Sequence, residues 1–233
     1  MDLSIILPSY QEEKNLEIIL PQLNEELLKD STKYELLIVD TQEPMDNTRE
    51  VCIKNNATYI NRKNGNNYGD AIRTGINQAT GRYILIMDAD GSHNTKDVVR
   101  LFNKIKDDNL DVVIGSRYCC GGSTKNSILS KCMSQMLNIV YRNVFGLEIT
   151  DVSNSFRIYS AERIKSLQLE CNNFDIIEEL LVLLCCSDKT IRIAEIPIEF
   201  NKRNNGKSKR KLVRFILSYL FTLDRLRKRV NGI

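Results

Sequence analysis

Two carboxylates one residue apart, Asp88 and Asp90, follow directly on the apolar run Tyr83-Ile84-Leu85-Ile86-Met87. An Asp-x-Asp pair offers only hard oxygen ligands, which suits Mg²⁺ or Mn²⁺ held jointly with the phosphates of a substrate. Taken alone, such a pair is more often a solvated acidic turn. Its position changes the weighting, because in open α/β sheets ligands bind beyond the carboxyl ends of the strands. Three more polar clusters fall at comparable strand ends: Pro8-Ser9-Tyr10-Gln11-Glu12, then Asp40, then Gly115-Ser116-Arg117-Tyr118. Each is an ordinary loop when read singly; four converging on one sheet edge make a site. A cationic loop, Arg203-Asn204-Asn205-Gly206-Lys207-Ser208-Lys209, could close over a diphosphate. There Arg grips phosphate oxygens bidentately and Lys supplies a point charge.

The elements that must position these groups alternate. Strand-like runs at 3–7, 34–40, 58–61, 83–87 and 111–116 are separated by helix-like stretches at 12–28, 46–55, 68–79 and 95–106. In the first helix Leu16, Ile19, Leu20, Leu23 and Leu27 recur at helical spacing. Such alternation predicts βαβ units and a mostly parallel, Rossmann-like sheet flanked by helices. After Tyr118 the rhythm changes to a helix over 127–145, a strand over 154–159, a helix over 174–186, a strand over 190–200 and a last helix from Leu212. The expected organisation is one domain over 1–211, with a nucleotide-binding half at 1–118 and an acceptor half at 119–211. A C-terminal amphipathic basic helix over 212–233 follows.

With 233 residues the chain can bury a substantial core, and 42% hydrophobic with 27% charged is ordinary globular composition. A net charge of +3 does not imply nucleic acid, and the basic loop lacks the interleaved aromatics of a single-strand binder. No Gly-x-Gly-x-x-Gly or Gly-Lys-Ser/Thr loop is present, which argues against dinucleotide and P-loop sites. Seven Cys without a Cys-x-x-Cys, and one His, make zinc unlikely and reduced intracellular thiols the expectation. Met1-Asp2 leads straight into a strand and no apolar run reaches membrane-spanning length, so the expected location is cytoplasmic, peripheral on the cytoplasmic face of a membrane.

Eight segments, in order, are similar to the glycosyltransferase family 2 enzymes of the GT-A fold, specifically the dolichyl- and polyprenyl-phosphate sugar synthases. They are Leu7-Pro-Ser-Tyr-Gln-Glu12, Leu37-Ile-Val-Asp40, Tyr68-Gly-Asp-Ala-Ile-Arg-Thr-Gly-Ile76 and Ala79-Thr-Gly-Arg-Tyr83, then Met87-Asp-Ala-Asp-Gly-Ser-His93 and Val112-Val-Ile-Gly-Ser-Arg-Tyr118. Asp151-Val-Ser-Asn-Ser-Phe-Arg157 and Glu195-Ile-Pro-Ile198, leading to Arg203 and Ser208-Lys209, complete the set. The resemblance implies that Pro8, Tyr10, Glu12 and Val39 line the base and ribose pocket, with Asp40 at the nucleoside. It implies a metal on Asp88 and Asp90 with the Ala89 backbone beside the nucleotide, catalysis centred on Asp90 and Arg117, and phosphate contacts from Arg117, Arg203 and Lys209. Asp151, Arg157 and Ser208 would shape the acceptor site. The chain departs from the family pattern at Thr41, where a second Asp is usual, and at Gln11, Gly91 and Asn154-Ser155.

The implied reaction is inverting transfer of a sugar, foremost mannose from GDP-mannose, to dolichyl or polyprenyl phosphate, using Mg²⁺ or Mn²⁺. A lipid phosphate is largely deprotonated near neutral pH, its second pKa being about 6, so it needs no protein base. A sugar hydroxyl acceptor normally does; Asp151, Glu178 and Glu179 are the nearby carboxylates in sequence terms. The alternatives are a UDP-sugar donor, a glycan hydroxyl acceptor, or a nucleotide-sugar-binding module without activity. Missing Trp excludes the Gln-x-x-Arg-Trp motif of the processive polysaccharide synthases. In the last helix Leu212, Val213, Ile216, Leu217, Leu220 and Leu223 share a side. With Arg227, Lys228 and Arg229 this predicts either an interfacial helix on an anionic membrane surface or an apolar face that covers the core. A membrane-embedded partner subunit is compatible with the former.

Overall fold

The structure, a computed structural model, describes residues 1–205 and 212–231, without the side chains of 212–218, 220 and 231. The elements in chain order are β1 (Leu3–Pro8), α1 (Glu13–Lys29), β2 (Tyr34–Asp40), α2 (Thr48–Lys54), β3 (Thr58–Asn61), α3 (Tyr68–Gln78), β4 (Tyr83–Ile86), α4 (Lys96–Asp107) and β5 (Val112–Ser116). They continue with β6 (Ser123–Thr124), α5 (Ile128–Phe145), β7 (Arg157–Ser160), α6 (Ala161–Lys165), α7 (Ile176–Ser187), β8 (Ile193–Pro197), β9 (Glu199–Phe200) and α8 (Leu212–Asn231).

Seven strands form one sheet in the order β3-β2-β1-β4-β7-β5-β8. All neighbours are parallel except β7, which runs antiparallel to both β4 and β5. The mostly parallel expectation therefore holds, with one reversed strand from the second half of the chain inserted between two strands of the first. The two halves share a single sheet. The strand expected at 154–159 begins only at Arg157, since Asn154 reaches across to the Gly115 carbonyl and Ser155 turns toward the sheet edge. The strand expected over 190–200 breaks at Pro197, which lacks an N–H to continue the ladder. The two residues of β9 beyond it pair instead with β6.

Both faces of the sheet are covered, so the strands read as continuous apolar runs. In β1, Leu3, Ile5 and Leu7 face a core built with α1, α2 and α4. Ile6 faces the opposite core, made with α3, α5, α6, α7 and α8. No helix among the described residues is long and apolar enough to cross a membrane. Of the expected apolar side of α8, Leu212, Val213, Ile216, Leu217 and Leu220 lie outside the described side chains, and only Leu223 is described. Tyr219, Thr222 and Leu226 are buried, and Leu223 and Val230 pack against the same core. Arg229 donates to Glu179 at 2.8 Å and Thr222 to Asp175 at 2.5 Å. Its inner face is thus occupied by the protein.

Candidate active site

The cleft opens at the carboxyl edge of the sheet and encloses about 1010 Å³. Its floor is the segment after β4. Asp88 is oriented from two sides: Tyr68, at the start of α3, donates to Oδ1 and Ser155 donates to Oδ2, each at 3.0 Å. Tyr68 is itself held by a stack on Phe174, ring centroids 4.3 Å apart. The α3 terminus that carries Tyr68 is fixed by Asp70, whose carboxylate accepts the Asn67 N–H at 2.9 Å. Asp90 accepts the Ser92 N–H at 3.0 Å through Oδ1. The His93 ring is buried between Phe156 and Phe200, with Nε2 3.8 Å from Asp88 Oδ2. Two carboxylates at the cleft supply a set of hard oxygen donors, with the His93 imidazole next to Asp88. That set fits Mg²⁺ or Mn²⁺, which keep further positions for water and substrate phosphate.

One wall follows β1. Pro8 ends the strand, Ser9 donates its N–H to the Val39 carbonyl at 2.9 Å, and Tyr10 is exposed at the mouth. Gln11 takes a positive φ of 57° to turn the chain into α1, which places Glu12 over the cleft. Glu12 accepts from Asn15 at 2.5 Å and from Arg203 at 2.7 Å. Burial lifts its carboxyl above the ordinary range, the Asn15 and Arg203 contacts oppose this, and the Asp90 charge adds to it.

A strap at 201–205 closes over this wall. Asn201 N–H donates to the Ser92 carbonyl at 2.8 Å, Asn204 N–H to the Asp90 carbonyl at 2.9 Å, and Asn205 to the Asn15 side chain at 3.0 Å. Gly91 takes a φ of +80°, a conformation that favours glycine, and its Cα faces the Asn204 side chain, where a Cβ would stand 2.2 Å from Nδ2 and move that side chain aside. Ser208 and Lys209, expected at the acceptor and phosphates, lie outside the described residues.

The far wall carries Arg117. Its Nε and Nη2 each meet the Asp151 carboxylate at 2.7 Å, its backbone N–H meets the same group at 3.0 Å, and Nη2 also reaches Ser153 at 2.8 Å. Burial alone would raise the Asp151 carboxyl, yet the Arg117 guanidinium and its hydrogen bonds hold it below the usual range. The same pairing overrides burial and raises Arg117. Glu195 fixes the segment by accepting the Thr150 and Asp151 N–H groups at 2.7 and 2.9 Å.

Among the expected site residues, Pro8, Tyr10, Glu12, Asp88, Ala89, Asp90, Arg117 and Arg203 line the cleft together. Four do not. Val39 is a core residue packed with Ile6 and Ala71, because alternate side chains of the central strand β2 face opposite cores; only its carbonyl reaches the site. Asp40 points the other way, is buried beside Cys52, and accepts from Tyr59 at 3.1 Å; burial raises its carboxyl. Asp151 acts behind Arg117. Arg157 is fully buried and donates to the Ile177 carbonyl at 3.0 Å and to the Val152 carbonyl, so it ties α7 to the wall rather than meeting a ligand. Thr41, at the missing carboxylate, turns its hydroxyl onto the Glu43 carbonyl at 2.6 Å.

The sequence reading did not single out Arg62, Asn66, Phe174 or Phe200, all cleft residues. Arg62 is buried, which lowers its pKa, and it donates to the Asn66 carbonyl at 2.7 Å and to the Ser9 carbonyl. A loop arginine with only backbone partners leaves no pattern to read. Phe174 did mark the start of a predicted helix, but only the fold brings it to Tyr68.

A parallel α/β sheet with paired carboxylates at its carboxyl edge is the architecture of the GT-A glycosyltransferases, and solved structures of that type superpose closely. Glucosyl-3-phosphoglycerate synthase from Mycobacterium tuberculosis, in complex with Mn²⁺, UDP-glucose and phosphoglyceric acid, matches with a TM-score of 0.76 at 16% identity, over 97% of this chain and 80% of that one. The same enzyme in complex with Mg²⁺ and UDP gives 0.72 at 16% identity, over 95% and 79%. Residues 4–167 match glycosyl transferase family 2, and the chain belongs to that family. A dolichol-phosphate mannosyltransferase of Pyrococcus furiosus is 28% identical over 236 aligned residues, covering 98% of this chain. The chain spans 64% of that relative's length. An uncharacterized protein of Methanocaldococcus jannaschii is 26% identical, over 85% of this chain and 81% of its own.

Proposed function

We propose that this glycosyltransferase moves a sugar, foremost mannose from GDP-mannose, onto a dolichyl or polyprenyl phosphate. The observation that carries the acceptor class is the make-up of the cleft. Among the described residues its lining holds three carboxylates, Glu12 paired with Arg203 and Asp88 and Asp90 at the expected metal position; the other lining residues include Asn126, Ser130, Met133, Ser134, Phe174, Phe200, Lys202 and Arg117. All three carboxylates expected as possible bases are engaged elsewhere or buried away from the cleft. Asp151 is locked on Arg117, Glu179 accepts the Glu170 and Cys171 N–H groups, and Glu178, on α7, is fully buried. A hydroxyl acceptor would lack a base there, whereas a phosphate monoester arrives already ionised.

The acceptor phosphate oxygen forms a bond to the anomeric carbon as the bond from that carbon to the diphosphate oxygen breaks, and its electron pair leaves with the nucleoside diphosphate. Asp88 and Asp90 would hold a divalent cation that supplies Lewis-acid neutralisation of the departing diphosphate. Glu12 and Arg203 enclose the donor, with Arg203 exchanging its Glu12 partner for phosphate. Arg117, held rigid by Asp151, keeps positive charge fixed on the acceptor side. Dolichol-phosphate mannosyltransferase is the name of the Pyrococcus relative, which supports mannose and the lipid phosphate. A UDP-sugar is the second donor reading, because Thr41 stands where the family resemblance implies a carboxylate at the nucleoside.

The test is incubation of the protein with Mn²⁺ or Mg²⁺, a short polyprenyl phosphate and labelled GDP- and UDP-sugars in turn. Label from GDP-mannose in the organic phase is the expected result. Label from a UDP-sugar alone would replace the donor, and donor consumption without organic-phase label would refute the acceptor.

A further inference from the structure

The Tyr68 hydroxyl that meets Asp88 Oδ1 stands at the far end of its ring, and that ring lies on Phe174 with 28° between the planes. Phe174 belongs to the segment between α6 and α7, which lies outside the sheet. Its place is set from both sides. Before it, α3 holds the backbone. The Gly69 N–H donates to the Asn172 carbonyl at 2.8 Å, and Arg73 donates to the Cys171 carbonyl at 2.5 Å and to Asn172 Oδ1 at 2.9 Å. The approach is so close that a Cβ on Gly69 would stand 2.2 Å from the Cys171 carbonyl oxygen. After it, the hold comes from α8. Thr222 donates to Asp175 Oδ2 at 2.5 Å, while Asp175 Oδ1 accepts the Asn173 N–H at 3.0 Å. One carboxylate thus spans Phe174 and joins it to the last helix. Arg225 adds its charge 4.0 Å from the same Oδ2, and Arg229 donates to Glu179, which accepts the Glu170 and Cys171 N–H groups. Thr222, Arg225 and Arg229 recur at i, i+3 and i+7, so they form one stripe along α8.

We propose that α8 aims the metal carboxylate: Thr222, acting through Asp175, Phe174 and Tyr68, is a positioning residue for Asp88. This rests on the reading that Asp88 holds the divalent cation, and names what fixes that carboxylate from outside the cleft. Asp175 and Thr222 are both buried, so solvent does not replace their hydrogen bond when it is lost. Phe174 and Tyr68 meet face to face, which fixes orientation as well as distance. The tolerance at the receiving end is small, since a functional side chain has to be held within about 0.5 Å and 10–20° of its working geometry. A tilt of the Tyr68 ring is magnified at its hydroxyl. Thr222 does not line the cleft, so any effect of its loss on the metal has to travel through the protein.

Titration calorimetry of the full chain with Mn²⁺ tests this, together with transfer measured over a range of Mn²⁺ concentrations. Tyr68→Phe should weaken Mn²⁺ binding about 10–100-fold, as loss of an outer hydrogen bond to a metal ligand does. Thr222→Val, which keeps the shape and removes the hydroxyl, should weaken it about 3–30-fold. Thr222→Ser should restore wild-type affinity, and Arg225→Gln, which loosens the same Asp175 carboxylate, should act in the direction of Thr222→Val. Saturating Mn²⁺ should return Thr222→Val to within about twofold of wild-type turnover, so the change falls on metal activation and not on kcat. Adding Thr222→Val to Tyr68→Phe should cost nothing further, because the route is already cut. Ile105→Val, which loosens the opposite core under α4, should lower the unfolding midpoint and leave Mn²⁺ affinity unchanged. Wild-type affinity in Thr222→Val, additive losses in the double variant, or a turnover deficit that saturating Mn²⁺ does not relieve overturns the proposal. Asp88→Asn separates the two readings. If it binds Mn²⁺ as tightly as the wild type, Asp88 does not hold the metal and the proposal falls with that reading. If it loses Mn²⁺ while Tyr68→Phe keeps it, the metal reading stands and the role of α8 alone is refuted.

Discussion

Replacing Asp151 by Asn is the most discriminating perturbation of the site wall. The Asp151 carboxylate takes the Arg117 backbone N–H at 3.0 Å and the guanidinium Nε and Nη2 at 2.7 Å each, with both residues buried. Asn keeps one acceptor oxygen, turns an amide NH₂ toward a cation, and leaves the Arg117 charge desolvated and unpaired. Removing one partner of such a buried pair costs about 3–5 kcal/mol, and the fall in midpoint is roughly 2–4 °C per kcal/mol for a chain of this size. A drop of about 6–20 °C is therefore expected, measured by thermal unfolding at pH 7 and by urea titration. The sign with pH follows from Asp151 being held below its ordinary 3.8. The pair contributes fully above that unfolded value and is lost as pH falls through the lower folded one. The gap between variant and wild type should thus stay constant from pH 8 to 5 and close in stronger acid. Replacing both partners by apolar residues, Arg117→Met/Asp151→Leu, should recover most of the stability and none of the transfer. A loss under about 1 kcal/mol in Asp151→Asn, or a double variant no more stable than the single, refutes the desolvated-pair reading.

Asp90→Ala should abolish transfer while circular dichroism and the unfolding midpoint stay near wild type; turnover at wild-type rates would remove Asp90 from the reaction. Ser155→Ala withdraws one of two donors that aim Asp88, and should weaken Mn²⁺ binding about 10–100-fold by titration calorimetry; unchanged affinity would show that Asp88 does not hold the metal. Glu178 is pushed by burial up to about 8, against the Arg157 charge. A raised carboxyl adds stability that is complete below its unfolded value near 4.5 and lost as pH rises toward 8, so Glu178→Gln should flatten the fall in midpoint between pH 5 and 9. An identical slope in the variant would place the titration elsewhere.

The order of elements was legible because burial on both faces turns each central strand into an apolar run bounded by Gly or polar residues, as at Gly81-Arg82 before β4. The same double burial hid which way the residues of β2 point. With no polar face there is no alternation to read, so Val39 and Asp40 were assigned to the cleft when one packs on α3 and the other lies beside Cys52. The reversed strand β7 was hidden for another reason. The place of β7 is set by pairings across more than 40 residues, such as Ile84 with Tyr159 and Val113 with Ile158, and nothing in a local window encodes them. The short helix α6 follows β7 directly and passed unread, being only five residues long.

The site shows the same division between chemical type and placement. Asp88, Asp90, Glu12 and Arg203 declare themselves by residue type at strand ends and in a cationic loop. Their orientation depends on side chains far away in sequence: Asp88 is aimed by Tyr68 and Ser155, and Glu12 is met by Arg203. Burial then decides chemistry that residue type leaves open. Asp151, Glu178 and Glu179 are equally good bases on paper, yet the first is neutralised by Arg117, the second is enclosed, and the third caps backbone N–H groups at Glu170 and Cys171. Apart from Glu12, Asp88 and Asp90, the described cleft lining offers mainly hydroxyls, amides, aromatic rings and cations. A lining of that kind attracts and orients an anion without having to deprotonate it. The proposed phosphate acceptor rests on where the carboxylates are held, which no count of them along the chain could have supplied.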